Sequence, residues 1–432
     1  MTVIKSETSD TIPYMLDIQF IRDNAQKVKQ AAKNKNREVD IDKLLELDST
    51  RRGLIQQSQV LREERNTLSQ NHPPSENDIT RGKEIKEKLK IIEDDLKKID
   101  TKLNDLMMYV PNVPLDEVPV GKSEKDNVEL KKWGDIRAFD FEPKDHITLG
   151  TELDIFDLER GSKVSGFRGY FLKNQGATLH LALIFYVYQK LVAKGFTPMI
   201  PPTIVKAFTL YGSGHFPWGG QQDVYKLNDD DSYLAGTAEI PVTAYHAGET
   251  LQESELPKRY TGMSPCYRRE AGAYGKDTKG LYRVHEFWKI EQVVIGKNDR
   301  EEAIKIHEEL EQNAEEILQD LKLPYRQLLM CTGDMGEPQI KKYDIETWMP
   351  SRKAYGETMS NSIMGDFQAR RLNMKYRGKD GKTKFCFTYN NTAVASPRIL
   401  IAILENYQQK DGTIKVPDVL VPFTQFETIE KK

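Results

Sequence analysis

The feature that most constrains this sequence is its N-terminal segment, because residues 17–108 are nearly free of glycine and proline and repeat apolar residues at helical spacing. Asp17 and Asp40 are suited to begin two helices, since a short carboxylate accepts hydrogen bonds from the unpaired amide groups of a first turn. The first of these helices is short. In the second, four leucines recur every seven residues: Leu47, Leu54, Leu61 and Leu68. This heptad spacing predicts a helix that packs along a partner helix.

A second apolar seam follows the first along the chain. Its residues alternate steps of four and three, which keeps them on one narrow face of a third helix: Ile85, Leu89, Ile92, Leu96, Ile99, Leu103 and Leu106. Pro73 and Pro74 separate the two seams and cannot continue a helix, because they lack amide donors and clash with the preceding turn. The pattern predicts an antiparallel coiled-coil hairpin on the order of 45 Å long, from roughly 30 residues at about 1.5 Å each.

The charges of this predicted arm do not reveal its task. They are nearly balanced, and a coiled coil taken alone is compatible with a dimerisation element or with one layer of a helical bundle. One locally basic stretch suits contact with phosphate, but it equally suits a solvated helix face: Lys27, Lys29, Lys33, Lys35 and Arg37. Both interpretations stay open at this point.

The overall composition narrows the classes of protein to which the chain can belong. Its 432 residues exceed the length of an ordinary domain and predict at least two domains. A formal net charge of -3 excludes nucleic-acid binding through bulk positive charge, so any RNA contact must be local. The three cysteines lie far apart, which predicts neither a disulfide framework nor a structural zinc site, and no zinc is expected: Cys266, Cys331 and Cys386.

No targeting or membrane-spanning segment is evident. The N-terminus lacks a basic start followed by an apolar run, which is the pattern of a secretory signal. The longest apolar stretch, residues 179–188, is interrupted by His180 and falls short of the roughly 20 residues that a membrane helix needs. We therefore expect a cytoplasmic protein that does not associate with membranes.

The composition changes after the predicted arm. Prolines and valines alternate with polar residues from Tyr109 to about Gly134 without any period, which predicts an extended linker. Short β-rich runs then alternate with helical ones, such as residues 179–192 and 300–321, so the body is predicted to be α+β. We divide the chain into an N-terminal domain of residues 1–110, a linker of residues 111–135 and a large domain of residues 136–432.

The familiar phosphate-binding motifs fail when tested. Two sequences resemble the end of a P-loop, residues 121–123 and 381–383, but neither has the earlier glycine that the loop requires. The densest polar cluster, residues 266–292, instead has the layout of two strands around a glycine-rich loop. It offers guanidinium groups, carboxylates and an aromatic ring: Arg268, Arg269, Glu270, Phe287 and Glu291. A nucleotide site and a surface hairpin with ion pairs are equally compatible with this composition.

This cluster resembles motif 2 of class II aminoacyl-tRNA synthetases, in the form found in seryl-tRNA synthetases. The resemblance extends through the helical arm and through four further segments: residues 195–202 as motif 1, Thr237-Ala238-Glu239, residues 366–373, and residues 398–408 as motif 3. It implies an α+β fold in which helices flank the antiparallel β-sheet core of a class II synthetase. The predicted N-terminal antiparallel coiled-coil helical arm belongs to the same family pattern.

The resemblance also implies roles for individual residues around ATP. Arg268 corresponds to the arginine that contacts the ATP α-phosphate and the serine carboxylate, and Arg398 to the motif 3 arginine over the γ-phosphate. Glu270 corresponds to a residue near the adenine and the tRNA acceptor end, and Phe287 to the ring that stacks on adenine. These correspondences make Arg268, Glu270 and Arg398 the expected catalytic residues.

Further correspondences concern serine and magnesium. Thr237 and Glu239 match the segment that receives serine, and Glu291 matches a second carboxylate beside the amino and hydroxyl groups of that substrate. Arg268 and Thr392 complete the expected serine site. Glu357 and Ser360 match a segment that binds ATP and its Mg²⁺, for which oxygen ligands are suitable.

The sequence departs from the usual family pattern at three places. Residues 355–363 read Tyr-Gly-Glu-Thr-Met-Ser-Asn-Ser-Ile where Tyr-Arg-Glu-Ile-Ser-Ser-Cys-Ser-Asn is expected, which loses an arginine and one serine. Thr392 stands where serine is expected, which keeps the hydroxyl and adds a methyl group, and Pro397 stands where glycine is usual. Part of the ATP pocket is therefore expected to differ.

The resemblance implies ATP-dependent ligation of L-serine to tRNA(Ser) through a seryl-adenylate, with tRNA(Sec) as a further substrate. It also implies a homodimer whose interface includes motif 1. Two alternatives remain. An enzyme that makes an aminoacyl-adenylate for a carrier protein usually lacks the long arm. A catalytically idle relative that acts as an RNA-binding or regulatory partner is compatible with the altered segment of residues 356–363.

Overall fold

A computed structural model describes residues 16–431, except residues 71, 72, 74, 219, 229 and 272–278. Its contacts divide the chain into two compact units, with the boundary between Pro111 and Asn112. The described residues of the first unit form four helices and no strand: α1 (Ile18–Asp23), α2 (Ala25–Asn34), α3 (Ile41–Leu68) and α4 (Glu76–Met107).

The helix starts of the first unit follow from capping side chains. Asp17 accepts a hydrogen bond from the backbone amide of Gln19, and Asp40 accepts one from the amide of Lys43, which confirms both predicted caps. Ser75 begins α4 with a capping box, in which its side chain and that of Asp78 bond to each other's backbone amides.

Helices α3 and α4 run antiparallel as the predicted hairpin. Three ion pairs fix this direction, because the partner in α4 moves toward the start of that helix as the residue in α3 moves toward its end: Arg51–Asp100, Arg62–Glu93 and Glu64–Arg81. Between the helices the seam is buried at Leu44, Leu47, Ile85, Leu89 and Leu103. The coiled-coil arm is thereby confirmed, although most of the predicted chain reversal, residues 71, 72 and 74, lies outside the described residues.

The second unit contains the strands. They are β1 (Val128–Trp133), β2 (Phe156–Asp157), β3 (Phe171–Leu172), β4 (Thr197–Met199), β5 (Ile204–Lys206), β6 (Ser232–Leu234), β7 (Thr250–Gln252), β8 (Lys258–Tyr267), β9 (Glu286–Gly296), β10 (Tyr325–Leu329), β11 (Lys341–Met349), β12 (Ala354–Gly365), β13 (Lys375–Arg377), β14 (Thr383–Phe385), β15 (Phe387–Ala395), β16 (Ile414–Lys415) and β17 (Thr428–Ile429).

Nine helices of this unit lie between its described strands. They are α5 (His146–Glu152), α6 (Leu158–Ser165), α7 (Asn174–Ala193), α8 (Ala207–Ser213), α9 (Glu239–Thr243), α10 (Arg300–Asp320), α11 (Phe367–Arg371), α12 (Ser396–Tyr407) and α13 (Val421–Thr424). The helical runs predicted at residues 179–192 and 300–321 correspond to α7 and α10.

Eight strands form the main sheet in the order β1-β10-β11-β12-β15-β9-β8-β4. All neighbours are antiparallel except β4, which is parallel to β8. This arrangement confirms the predicted α+β fold with an antiparallel core. Strand β1 is a difference from the expected linker of residues 111–135, because it pairs with β10 at the sheet edge. Its six residues are all exposed, so it carries no apolar alternation by which the sequence could predict it.

The main hydrophobic core lies between the sheet and three helices, α7, α10 and α12. Ile290 and Val294 of β9 face these helices, and by strand alternation Glu291 faces the other side of the sheet. Among the described helices, α7 alone is long and apolar enough to span a membrane. Leu183, Val187 and Leu191 of α7 are buried in this core, as in a helix that covers a sheet.

Candidate active site

A cavity of about 590 Å³ opens on the face of the sheet opposite α10. All ten residues expected from the sequence line it: Thr237, Glu239, Arg268, Glu270, Phe287, Glu291, Glu357, Ser360, Thr392 and Arg398. They come from the segment just after β8, from β9, β12 and β15, from the start of α9 and the segment before it, and from the start of α12. The fold therefore collects residues that lie up to about 160 positions apart in the sequence.

The β8–β9 hairpin positions Arg268 at the wall of the cavity. Its backbone amide donates to the carbonyl of His285 at 2.9 Å, which extends the pairing of the two strands beyond their ends. Its Nε donates to the carbonyl of Gly236 at 3.2 Å, and its guanidinium carbon lies 5.4 Å from the ring centroid of Phe287. The guanidinium is thus oriented by a hydrogen bond and by an aromatic face.

Glu270 follows in an unusual backbone conformation. Its φ of 53° lies in the left-handed region, which a residue other than glycine adopts at a cost and which occurs often at functional sites. Arg283 Nη1 donates to Glu270 Oε2 at 3.0 Å and holds the carboxylate in the cavity wall. The glycine-rich loop that follows, residues 272–278, lies outside the described residues.

Glu291 is the centre of a buried group of polar side chains. Its Oε1 accepts hydrogen bonds from Thr392 Oγ1 at 2.9 Å and from Thr237 Oγ1 at 3.1 Å, and Lys289 forms an ion pair with the same oxygen. Lys289 Nζ also donates to Thr392 Oγ1 at 3.3 Å. Hydroxyl, ammonium and carboxylate groups are therefore arranged together where little water can reach them.

Glu239 lies beside this group with a different set of partners. Its Oε1 accepts from Gln368 Nε2 at 2.8 Å and from Asn390 Nδ2 at 2.9 Å. Burial, together with the negative charge of Glu291, raises the pKa of Glu239 to about 7. This carboxyl therefore changes its charge near neutral pH.

Glu357 and Ser360 reach the same cavity because strand β12 is irregular. The pairing of β12 with β11 slips between Ile345 and Glu346, which leaves Thr358 as an extra residue. In a regular strand Glu357 and Ser360 would face opposite sides, since side chains alternate. The extra residue places both on the cavity side, a result that sequence spacing alone does not predict.

Arg398 lies against Glu357 at the start of α12. Its Nη1 donates to Glu357 Oε2 at 3.1 Å and to the backbone carbonyl of the same residue at 2.9 Å. Withdrawal from water favours the neutral form of Glu357, but the charges of Arg398 and Lys342 outweigh it and hold the pKa of Glu357 well below its ordinary value. Glu357 is therefore ionised at neutral pH.

Sequence reasoning missed several cavity residues, of which Lys289 is the most central. The signal was present, because Phe287, Lys289 and Glu291 alternate on one strand and must share a face. His215 offered no such signal, since it follows the short helix α8 and reaches the wall only through the fold. Burial and the charges of Arg268 and Lys289 lower the pKa of His215 to about 3, so its ring is neutral.

The carboxylates of the cavity do not form a metal site by themselves. Within the described residues, no group of three or more His, Cys, Asp or Glu side chains lies close enough to hold a metal ion. Glu357 and Ser360 nevertheless offer an ionised carboxylate and a hydroxyl on one face, which are donors that suit Mg²⁺. A cation held there would need further oxygen ligands from a phosphate or from water.

An antiparallel sheet whose one face presents two arginines, several carboxylates and an aromatic ring is what a class II aminoacyl-tRNA synthetase requires. The family model described as the tRNA synthetase class II core domain (G, H, P, S and T) matches residues 223–407. A second family model, described as the seryl-tRNA synthetase N-terminal domain, matches residues 15–114.

The most similar proteins define the family more narrowly. The chain is 45% identical to a serine–tRNA ligase of Deinococcus radiodurans over 95% of this chain and 97% of that protein, and 44% identical to one of Treponema denticola over 96% and 100%. The crystal structure of seryl-tRNA synthetase from Pyrococcus horikoshii complexed with ATP has a TM-score of 0.91 at 38% identity, covering 97% of this chain and 100% of that one. The chain therefore belongs to the seryl-tRNA synthetase family and is a serine–tRNA ligase.

A eukaryotic structure shares the same fold. The crystal structure of the cytoplasmic serine–tRNA ligase of Naegleria fowleri in complex with AMP has a TM-score of 0.88 at 31% identity, covering 97% of this chain and 100% of that one. Likeness over nearly the whole length includes both the arm and the catalytic sheet. The expectation of an enzyme that ligates serine to tRNA is confirmed.

Proposed function

We propose that the cavity joins serine to ATP as seryl-adenylate and then transfers the seryl group to tRNA(Ser). In the first step an oxygen of the serine carboxylate attacks the α-phosphorus, and the bond to the departing pyrophosphate breaks. In the second step the terminal ribose hydroxyl of the tRNA attacks the carbonyl carbon, and AMP leaves. The observation that carries this proposal is the buried Glu291, which accepts two threonine hydroxyls in the same cavity as Arg268.

The arginines align the reacting groups and offset negative charge. Arg268 is oriented by Gly236 and Phe287 and would bridge the serine carboxylate and the α-phosphate. Arg398 would contact the γ-phosphate, and Phe287 would stack on the adenine. Fixed donors of this kind stabilise charge that develops in the transition state, and no side chain has to become covalent. Glu270 is assigned to the adenine and the acceptor end of the tRNA.

The serine end of the cavity selects its substrate by hydrogen bonds. Thr237, Glu239, Glu291 and Thr392 would receive the amino and hydroxyl groups of serine. An analogue without the hydroxyl would leave buried polar groups unpaired, which costs affinity. The hydrogen bonds that Glu291 Oε1 accepts from Thr237 and Thr392 support this assignment, because all three side chains line the cavity that a small polar substrate would enter.

Glu357 and Ser360 would hold Mg²⁺ together with phosphate oxygens of ATP. The ion would supply positive charge to the phosphates and help to orient them. The charge state of Glu357 and the strand irregularity at Thr358 support this assignment.

The N-terminal domain of residues 1–110 would bind the outside of tRNA(Ser), and the domain of residues 136–432 would carry out catalysis. Residues 111–135 would link them, with β1 serving as part of the sheet. We extend the proposal to serylation of tRNA(Sec), which serylation assays with a tRNA(Sec) transcript would test. A transcript that accepts no serine under conditions that charge tRNA(Ser) would exclude this substrate.

A homodimer in the cytoplasm completes the proposal. Motif 1 and its neighbours leave large apolar side chains exposed, as expected of an interface: Leu181, Phe185, Ile200, Ile204 and Phe208. The most exposed of these five side chains is that of Ile200, at 79%. Sedimentation at twice the 49.7 kDa mass of one chain would support the dimer, and sedimentation at that mass would contradict it.

The direct test is ATP–pyrophosphate exchange with serine, threonine, alanine and cysteine. We expect exchange with serine alone, and we expect Arg268→Ala to reduce it at least about 100-fold, as loss of a fixed transition-state donor does. Arg269→Ala is the matched control, because Arg269 lies against Tyr225 and does not line the cavity. Near-normal exchange by the Arg268 variant would exclude its assigned role. Folded protein that exchanges with no amino acid would favour the idle relative.

A further inference from the structure

Tyr282 on the cavity wall has two arginines against its ring. The guanidinium carbon of Arg398 lies 4.6 Å from the ring centroid, and that of Arg352 lies 4.3 Å from it. Arg398 Nε also donates to the backbone carbonyl of Tyr282 at 3.3 Å. The two guanidinium groups are therefore less than about 9 Å apart, at the end of the cavity where Arg398 meets Glu357.

This packing depends on the glycine at position 356. A Cβ atom there would lie 2.9 Å from the hydroxyl oxygen of Tyr282 and 3.2 Å from the sulfur of Met349. Any larger residue at position 356 would have to displace the tyrosine. Because Gly356 has no side chain, the Tyr282 ring can occupy the space beside it. Tyr282 in turn orients Arg352.

The basic and acidic side chains that line the cavity are equal in number. Five basic side chains line it, and so do five carboxylates: Arg268, Arg283, Lys289, Lys342 and Arg398 against Asp223, Glu239, Glu270, Glu291 and Glu357. Three of the basic groups form ion pairs with these carboxylates. Among the described lining residues the two signs therefore nearly balance, so a strongly anionic triphosphate would gain from a further basic group close to the wall, and Arg352 lies on Tyr282 together with Arg398.

We propose that Arg352 binds the β- and γ-phosphates of ATP, next to Arg398. Its guanidinium lies over the Tyr282 ring, and a guanidinium carries several N–H groups at its edge, two of which can donate to two phosphate oxygens at once. Arg352 lies in a short turn between β11 and β12, is exposed, and lies against Tyr282 of the cavity wall, so it would approach the phosphates from outside that wall. This inference rests on the proposed ATP site.

Calorimetric titration of the full chain with ATP and with AMP tests the inference. Arg352→Ala should weaken ATP about 10-fold or more, as expected for loss of charge-assisted hydrogen bonds. The affinity for AMP should change less than about twofold, because AMP has neither the β- nor the γ-phosphate. In pyrophosphate exchange the same variant should raise the KM for ATP and leave the KM for serine unchanged.

Two further variants keep the result specific. Lys353→Ala removes the adjacent exposed charge and should leave ATP affinity unchanged. Arg352→Lys keeps the positive charge and should retain part of the ATP affinity that Arg352→Ala loses. Unchanged ATP affinity in Arg352→Ala would overturn the inference, and so would equal weakening of ATP and AMP, which would show that Arg352 only supports Tyr282. Wild-type protein that binds no ATP would instead refute the proposed function itself.

Discussion

Glu239 and Glu291 share the inner end of the cavity, with 8% and 2% of their surface exposed. Two carboxylates in so dry a place do not both ionise easily, and it is Glu239 whose pKa rises to about 7. Glu291 is compensated differently, since Lys289 and two hydroxyls surround it. The two carboxyl groups therefore have different electrostatic surroundings before serine binds.

We predict that serine binding weakens as the pH falls below 7. The carboxylate form of Glu239 attracts the substrate ammonium group, and its population falls about tenfold between pH 8 and pH 6 for a pKa of about 7. The KM for serine in pyrophosphate exchange should rise by about that factor, with the KM for ATP as the internal reference. Glu239→Gln should raise the KM for serine and abolish its pH dependence. A wild-type KM for serine that does not change with pH would contradict the prediction.

At the scale of elements, helix α10 is tied to the reverse face of the sheet by two buried amide side chains, Gln292 of β9 and Asn361 of β12, and the buried Asn391 of β15 joins them through Gln292. Gln292 Nε2 donates to Asn391 Oδ1 at 2.7 Å and to the carbonyl of Leu310 at 3.2 Å. Asn361 Nδ2 donates to the carbonyl of His307 at 2.8 Å and to Glu311 Oε2 at 3.0 Å. Each amide neighbours a cavity residue in its strand, so these contacts also position the cavity wall.

Asn361 is the residue of this group with a clear mutational test. Asn361→Ala should destabilise the catalytic unit by about 1–3 kcal/mol, because it removes a donor from the buried Glu311 and from a backbone carbonyl. The decrease in thermal unfolding midpoint measures this effect. Gln312→Ala is the control, since Gln312 is exposed on α10 and its loss should change stability by less than about 0.5 kcal/mol. Equal effects of the two variants would show that the buried amide is unimportant.

At the scale of the whole molecule, the helical unit and the sheet unit differ in what they offer to substrates. The helical unit is elongated by α3 and α4, whose ion pairs are largely exposed and contribute little to stability. The sheet unit contains the cavity and every residue assigned to serine and ATP. In the proposed function, tRNA binding belongs to the helical unit and amino-acid activation to the sheet unit.

Deletion of about residues 30–105, with a short Gly/Ser linker in their place, should separate the two activities. We expect serylation of tRNA(Ser) to be lost, because the surface proposed to hold the tRNA is removed. Pyrophosphate exchange with serine should stay within about threefold of the full chain, since the cavity lies in the other unit. Circular dichroism verifies that the remaining unit is folded. Loss of both activities from folded protein would contradict the division.

The sequence by itself determined the coiled-coil arm and ten of the residues that line the cavity. The arm follows from heptad spacing and helix caps, which act between residues close in the chain. The ten cavity residues were recognised because they lie in several ordered segments that resemble one family. Asn361 was visible only as part of the departure at residues 355–363.

Tertiary structure alone decided how these residues meet. Asn361 and Asn391 are opposite each other on β12 and β15, and the extra residue Thr358 returns Glu357 to the cavity side of its strand. Strand β1 joins the sheet by pairing with a partner nearly 200 residues away, and Arg352 lies against Tyr282, a residue of the cavity wall. Such relations depend on register and packing between distant segments, and no local pattern in the sequence specifies them.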